Sequence, residues 1–165
     1  MVRKLNIHTE ITILLEKHQI PYRRLPHGEA VYTVEAAAKT RGVLVEEMVK
    51  SILLREKGSE RYVMACVPGH ARLLPQAVRD YLPGDWRRLT FAGSDEILAV
   101  TGCVQGAVAP LGLPARLPIV FDEALLQCEK VSISSGDPWL GLELDPNDLL
   151  QLAGARIGKI IELET

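Results

Sequence analysis

The chain has 165 residues, 47% apolar and 24% charged, with a formal net charge of −2. That length supports one domain with a buried core, and the apolar share argues against disorder. The near-neutral charge argues against coating a long DNA duplex, which needs a strong basic excess, but not against contact with a single nucleotide end.

In chain order, residues 8–19 place Ile11, Leu14, Leu15 and His18 at helical spacing ahead of Pro21. A short extended piece follows at 21–27. Thr33 is placed to cap a helix over TVEAAAKTR that stops at Gly42. VEEMVK reads as a short helix running into the strand SILLRE, and the turn KGSE joins that strand to RYVMACV as an antiparallel hairpin. Pro75 opens a helix closed by Pro83 and Gly84, RRLTF is a brief strand, and SDEILAV is a helix with acids at its positive end. LPIVF, KVSISSG and LGLEL read as strands, Asp145-Pro146 caps the helix NDLLQLAG, and ARIGKIIEL closes as a strand. Short strands interleaved with short helices, one hairpin among longer crossovers, predict an α/β fold with a mixed sheet. No repeat or linker divides residues 1–165, so a single domain is expected.

Residues 97–115 carry no charge, but Gly102, Gly106, Pro110, Gly112 and Pro114 interrupt them too often for a membrane helix. A buried loop and strand is expected there instead. The first ten residues lack the apolar core of a signal peptide, and Cys66, Cys103 and Cys128 are scattered and odd in number. Both point to a cytoplasmic protein. Neither the cysteines nor the four histidines show metal-ligand spacing, so no metal and no cofactor is expected.

Two features could carry chemistry. Lys50 stands at the junction of helix and strand, where it is either a cation facing a cleft or a side chain whose stem covers the sheet edge. The loop TGCVQGAVAPLGLP has glycines that permit close backbone approach and prolines that stiffen it. Such a loop can aim amides at an oxyanion or a phosphate, or can be a packed connection. It is neither a Walker A loop nor a dinucleotide fingerprint. Ser134, Ser135 and Gly136 read as a strand end and turn, Cys103 as an inert thiol without a basic partner, and His70 as a loop histidine. Arg23-Arg24 and Trp86-Arg87-Arg88 are small basic patches.

From about residue 14 to 152 these segments, in this order and spacing, resemble the YbaK / prolyl-tRNA-synthetase-associated family. The resemblance rests on YRRLPHGEAVYTVEAAAKTRGV, EEMVKSILLR, YVMACVPGHARL, the glycine-rich loop, PIVFDEALL and VSISSGDPWLGLELDPNDLLQL. It implies a mixed β-sheet curled into a partly closed barrel with flanking helices. It also implies hydrolysis of the ester joining a wrong amino acid to the 3′ adenosine of tRNA, with no metal and no protein nucleophile. Lys50 falls on the family's lysine, which helps hold the terminal nucleotide. Gly106, Ala107, Val108, Ala109 and Pro110 fall on its GxxxP loop, whose amides engage the carbonyl. In this reading Lys50, Gly106, Ala107 and Val108 are catalytic, and Gly102, Ala109, Pro110, Ser135 and Gly136 bind substrate. The implied partners are the tRNA acceptor end and, as a candidate, prolyl-tRNA synthetase. SSGDPWLGLEL lacks the histidine of alanine-specific relatives, and Ala107-Val108 differ from the GCSP of the YbaK branch. Cysteine, alanine, serine and other small residues therefore all remain open as substrates. The resemblance is compatible with a free-standing deacylase, with a non-catalytic tRNA- or synthetase-binding module, and with a hydrolase of another small ester. Retention of both Lys50 and the loop favours the first.

Overall fold

The computed structural model describes residues 7–114 and 116–162. The leader-segment reading of the first residues, and the last residue of the expected closing strand, extend outside the described residues.

Helix α1 (Glu10–Lys17) begins with a reciprocal cap, in which the Thr9 and Thr12 side chains each accept from the other's backbone N–H. Strand β1 (Tyr22–Pro26) follows, then helix α2 (Val34–Arg41), capped by Thr33 and stopped by Gly42 at φ +72°. Strands β2 (Val49–Glu56) and β3 (Tyr62–Pro68) form the expected hairpin. The short α3 (Pro75–Val78) leads to β4 (Leu89–Phe91), α4 (Ser94–Thr101), and β5 (Ile119–Asp122). The remaining elements are β6 (Val131–Ser134), β7 (Leu140–Leu144), α5 (Pro146–Ala153) and β8 (Arg156–Gly158).

The strands make two sheets. One has the order β1-β7-β6 and is wholly antiparallel. The other has the order β4-β2-β3-β5-β8 and is mixed: β2 is antiparallel to both neighbours, while β3-β5 and β5-β8 run parallel. A single parallel bridge, Met48 with Ser132, joins β6 to the residue ahead of β2. The mixed α/β architecture is as expected, but neither sheet closes into a barrel. The cause lies at β4, which is three residues long and pairs only with Leu54, Arg55 and Glu56 before Gly93 turns the chain into α4. Ala92 N–H makes the last bond, to the Leu53 carbonyl, so from Val49 to Ile52 β2 has β3 on one edge and, among the described residues, no strand on the other.

Burial follows the period-two alternation of β3. Met64 and Cys66 face a core shared with the three-stranded sheet, α1 and α5, while Val63, Ala65 and Val67 face a second core against Leu73, Val78 and Ile160. With both faces covered, β3 is apolar throughout. Three local expectations change. VEEMVK is helical only for a single 3₁₀ turn (Val45–Glu47), which leads straight into β2, so that Lys50 is the strand's second residue. The uncharged stretch contributes the end of α4 and then, through residue 114, a loop, with no strand among the described residues before Ile119. The left-handed Gly102 stops the helix and the closely spaced prolines hold the chain irregular. The closing strand is likewise shorter, although Ile161 still bridges Leu73.

Candidate active site

The open edge of β2 borders a cleft of about 670 Å³. Its walls are the first half of β2, the segment Tyr32–Val34 entering α2, Phe91 of β4, and the loop residues Gln105, Gly106 and Val108, with Arg41 and Ser134 also exposed to it. Among the described residues no carboxylate lines it, while Lys50 and Arg41 both do. The cleft therefore favours an anionic or electron-rich ligand.

Lys50 is held by a hydrogen bond from its Nζ to the Ala71 carbonyl at 2.7 Å. Its pKa is pushed down by burial, partly opposed by Glu35. A single carbonyl leaves the ammonium with donor capacity to spare. The loop opposite is fixed by its own bonds: Ala107 N–H donates to the Val104 carbonyl (3.0 Å), and the Ser134 hydroxyl donates to the Ala107 carbonyl (2.9 Å). The amides of Gly106 and Val108 have no acceptor among the described residues. Gly106 sits at φ +91° with the Tyr32 backbone against its Cα, where a side chain cannot fit.

The cleft thus gathers Lys50, Gly106 and Val108. Ala107 lies behind it, almost inaccessible. Ala109 and Pro110 are buried under the loop. Gly102, Ser135 and Gly136 line a separate depression beside α1, with Cys103 and Gly112. There the Ser135 hydroxyl donates to the Leu140 carbonyl at 2.6 Å and accepts from Asp137 N–H, which makes it part of a turn.

Arg41 was not legible as a site residue. Its Nε donates to His27 Nε2 (3.0 Å), and its Nη1 to the Ser132 hydroxyl (2.9 Å) and the Ile133 carbonyl (3.1 Å). His27 is buried, and with Nε2 accepting, its Nδ1 donates to the Pro138 carbonyl at 2.7 Å. That arrangement requires the neutral imidazole, in line with the lowering of its pKa by burial. Burial also lowers Arg41, to about 10, and among the described residues no carboxylate pairs with it. Among the basic patches, Arg23 pairs with Glu143 and Arg24 donates to the Ile7 carbonyl, while Trp86 carries the Arg61 guanidinium 3.7 Å above its ring. Among the described residues no cluster of His, Cys, Asp and Glu could hold a metal ion, and no helix is long and apolar enough to cross a membrane. Cys66 is inert by environment, its thiol pushed up to about 12 by burial.

The aminoacyl-tRNA editing domain, as a family, matches residues 28–152, a span that takes in every wall of the cleft. The chain belongs to that family. It is 36% identical over 103 residues to the proline–tRNA ligase of Thermosipho melanesiensis, a match covering 62% of this chain but only 17% of the ligase. It is 25% identical over 149 residues to the multifunctional Ser/Thr-tRNA deacylase ProXp-y of Escherichia coli, covering 88% of this chain and 87% of that one. A solved structure provisionally described as a trans-editing enzyme for prolyl-tRNA synthetase superposes with a TM-score of 0.77 at 27% identity, covering 93% of this chain and 96% of the other. The chain corresponds to a small part of a synthetase, 17% of its length, but to 87% of the Ser/Thr-tRNA deacylase.

Proposed function

We propose that this protein is a free-standing deacylase that hydrolyses the ester of tRNA mischarged with a small amino acid. The observation carrying this reading is the pair of features that line one cleft of an editing-domain protein: the Lys50 ammonium on β2, and the amides of Gly106 and Val108, which have no acceptor among the described residues, in a loop held by its own hydrogen bonds. Ester hydrolysis builds negative charge on the carbonyl oxygen, and fixed amide donors stabilise that charge without reorganising. Lys50 orients the terminal nucleotide. Water, or a group of the substrate itself, is the nucleophile, and neither a metal nor a protein side chain takes part. Ala107, Ala109 and Pro110 support the loop, while Gly102, Ser135 and Gly136 brace it from the α1 side. The acceptor end of tRNA is the partner. Prolyl-tRNA synthetase is the candidate source of the mischarged substrate, and the cytoplasm is the compartment.

The test is deacylation of alanyl-, seryl-, threonyl- and cysteinyl-tRNA, with and without exhaustive chelation. Turnover of at least one, indifferent to chelator, is the expected result. Lys50→Ala is expected to lower kcat/KM at least about tenfold, an effect of about 1.4 kcal/mol, with an unchanged melting temperature. A chain that binds tRNA but turns over none of the four is a binding module instead.

A further inference from the structure

The cleft has a neighbour. A second hollow of about 400 Å³ lies on the other side of a ridge made by Lys50, Ile52 and Phe91, all three of which line both spaces. Its far side is apolar, from Ala71, Leu73, Leu74 and Pro75, with Arg72 and Glu162 at the rim. Phe91 ends the edge strand β4 with 62% of its surface exposed, in a chain with only two phenylalanines. Its Cα is paired with Leu54, so the ring is presented by a sheet rather than by a mobile loop. An exposed aromatic ring beside a cation and above an apolar hollow is the composition of a stacking platform for single-stranded nucleic acid.

We infer that Phe91 and the second hollow hold the base of the nucleotide next to the tRNA 3′ end, with the linking phosphate passing the Lys50 ridge. The inference rests on the proposed deacylase reading for its direction. An ester at the Gly106–Val108 loop places the terminal nucleoside in the first cleft. The chain then leaves over the ridge, where the ammonium meets a phosphate and the ring meets a base. Stacking tolerates any base, so this subsite supplies affinity for a single-stranded end without reading sequence. It also separates two tasks: the loop selects the acyl group, and Phe91 holds the tRNA end.

The probe is a short, non-aminoacylated RNA ending in CCA, titrated by fluorescence anisotropy, beside the same RNA with an abasic penultimate position. Phe91→Ala is expected to weaken binding of the intact RNA roughly five- to hundredfold, the range of base–aromatic stacking, and to have no further effect on the abasic RNA. Phe91→Trp is expected to restore binding and Phe91→Leu to fail, because a π-face rather than apolar area is required. Melting curves check that the exposed substitutions leave the fold intact. Equal binding by parent and Phe91→Ala, or an equal loss on both RNAs, overturns the inference. Since these titrations need no turnover, a parent inactive on every charged tRNA overturns the deacylase reading alone, and the binding result still decides this one.

Discussion

The carbonyl oxygen of Tyr32 occupies the space that a Cβ on Gly106 would need. Gly106 also sits at φ +91°, so a substitution meets both backbone strain and a backbone atom that no rotamer change can move. The sequence reads Gly106 only as a loop glycine that permits close backbone approach; the structure makes it a residue on which the fold and the loop both depend. Gly106→Ala is expected to destabilise the protein by about 1–3 kcal/mol and to displace the loop or the Tyr32 segment. Melting temperature and kcat/KM should fall together, and a variant with the parent's melting curve would contradict the close approach.

The contrast shows what the sequence could carry. Helix caps at Thr33 and Asp145, the glycine stop at Gly42 and the KGSE hairpin were legible because each depends on residues adjacent in the chain. The cleft was legible in part, through Lys50 and the glycine-rich loop. Arg41 was hidden because its partners lie 14, 91 and 92 residues away and its own helix gives no sign of them. Phe91 was hidden for the opposite reason, since a strand aromatic reads as core until the structure leaves it exposed. The open edge of β2 depends on the shortness of β4, and no local pattern announces where a sheet fails to close.

Arg41 ties α2 to β6 and to His27, with its guanidinium lying against the Cα of Gly141 in β7. Removing it leaves the His27 ring nitrogen and the Ile133 carbonyl without this donor, each a loss of about 1–3 kcal/mol when buried. Arg41→Ala is expected to cost about 3 kcal/mol in denaturant unfolding. Arg41→Lys should recover little of it, because one ammonium cannot span bonds that a planar fork makes in several directions. Full recovery by lysine would show that charge alone matters here.

Glu56, 2% exposed, accepts from Arg87 N–H (2.8 Å) and the Ser59 hydroxyl (2.8 Å), with Arg61 at 3.4 Å. These bonds, the Arg87 amide foremost, hold its carboxyl below the usual value. A carboxyl whose folded pKa is depressed contributes stability above its unfolded value of about 4.3, and loses it as pH falls toward the folded one. The melting temperature of the parent should therefore fall faster than that of Glu56→Gln as the pH is lowered through about 4, with the two curves converging. Parallel curves across that range would rule out this linkage.

Ala107 and Val108 are neighbours with different tasks. Ala107 is 1% exposed, with its N–H and carbonyl both bonded inside the protein, whereas Val108 is half-buried and lines the cleft. Enlarging Ala107 overpacks a filled space, so Ala107→Leu is expected to cost about 1–3 kcal/mol and to lower turnover of every substrate alike. Enlarging Val108 fills the space where the acyl group would lie. Val108→Phe should keep the parent's melting temperature and act on selectivity, since a pocket that loses volume penalises larger side chains first. The ratio of kcat/KM for alanyl- over threonyl-tRNA is expected to rise at least about tenfold in Val108→Phe and to stay constant in Ala107→Leu. If the ratio moves in Ala107→Leu and not in Val108→Phe, the acyl group does not lie against Val108.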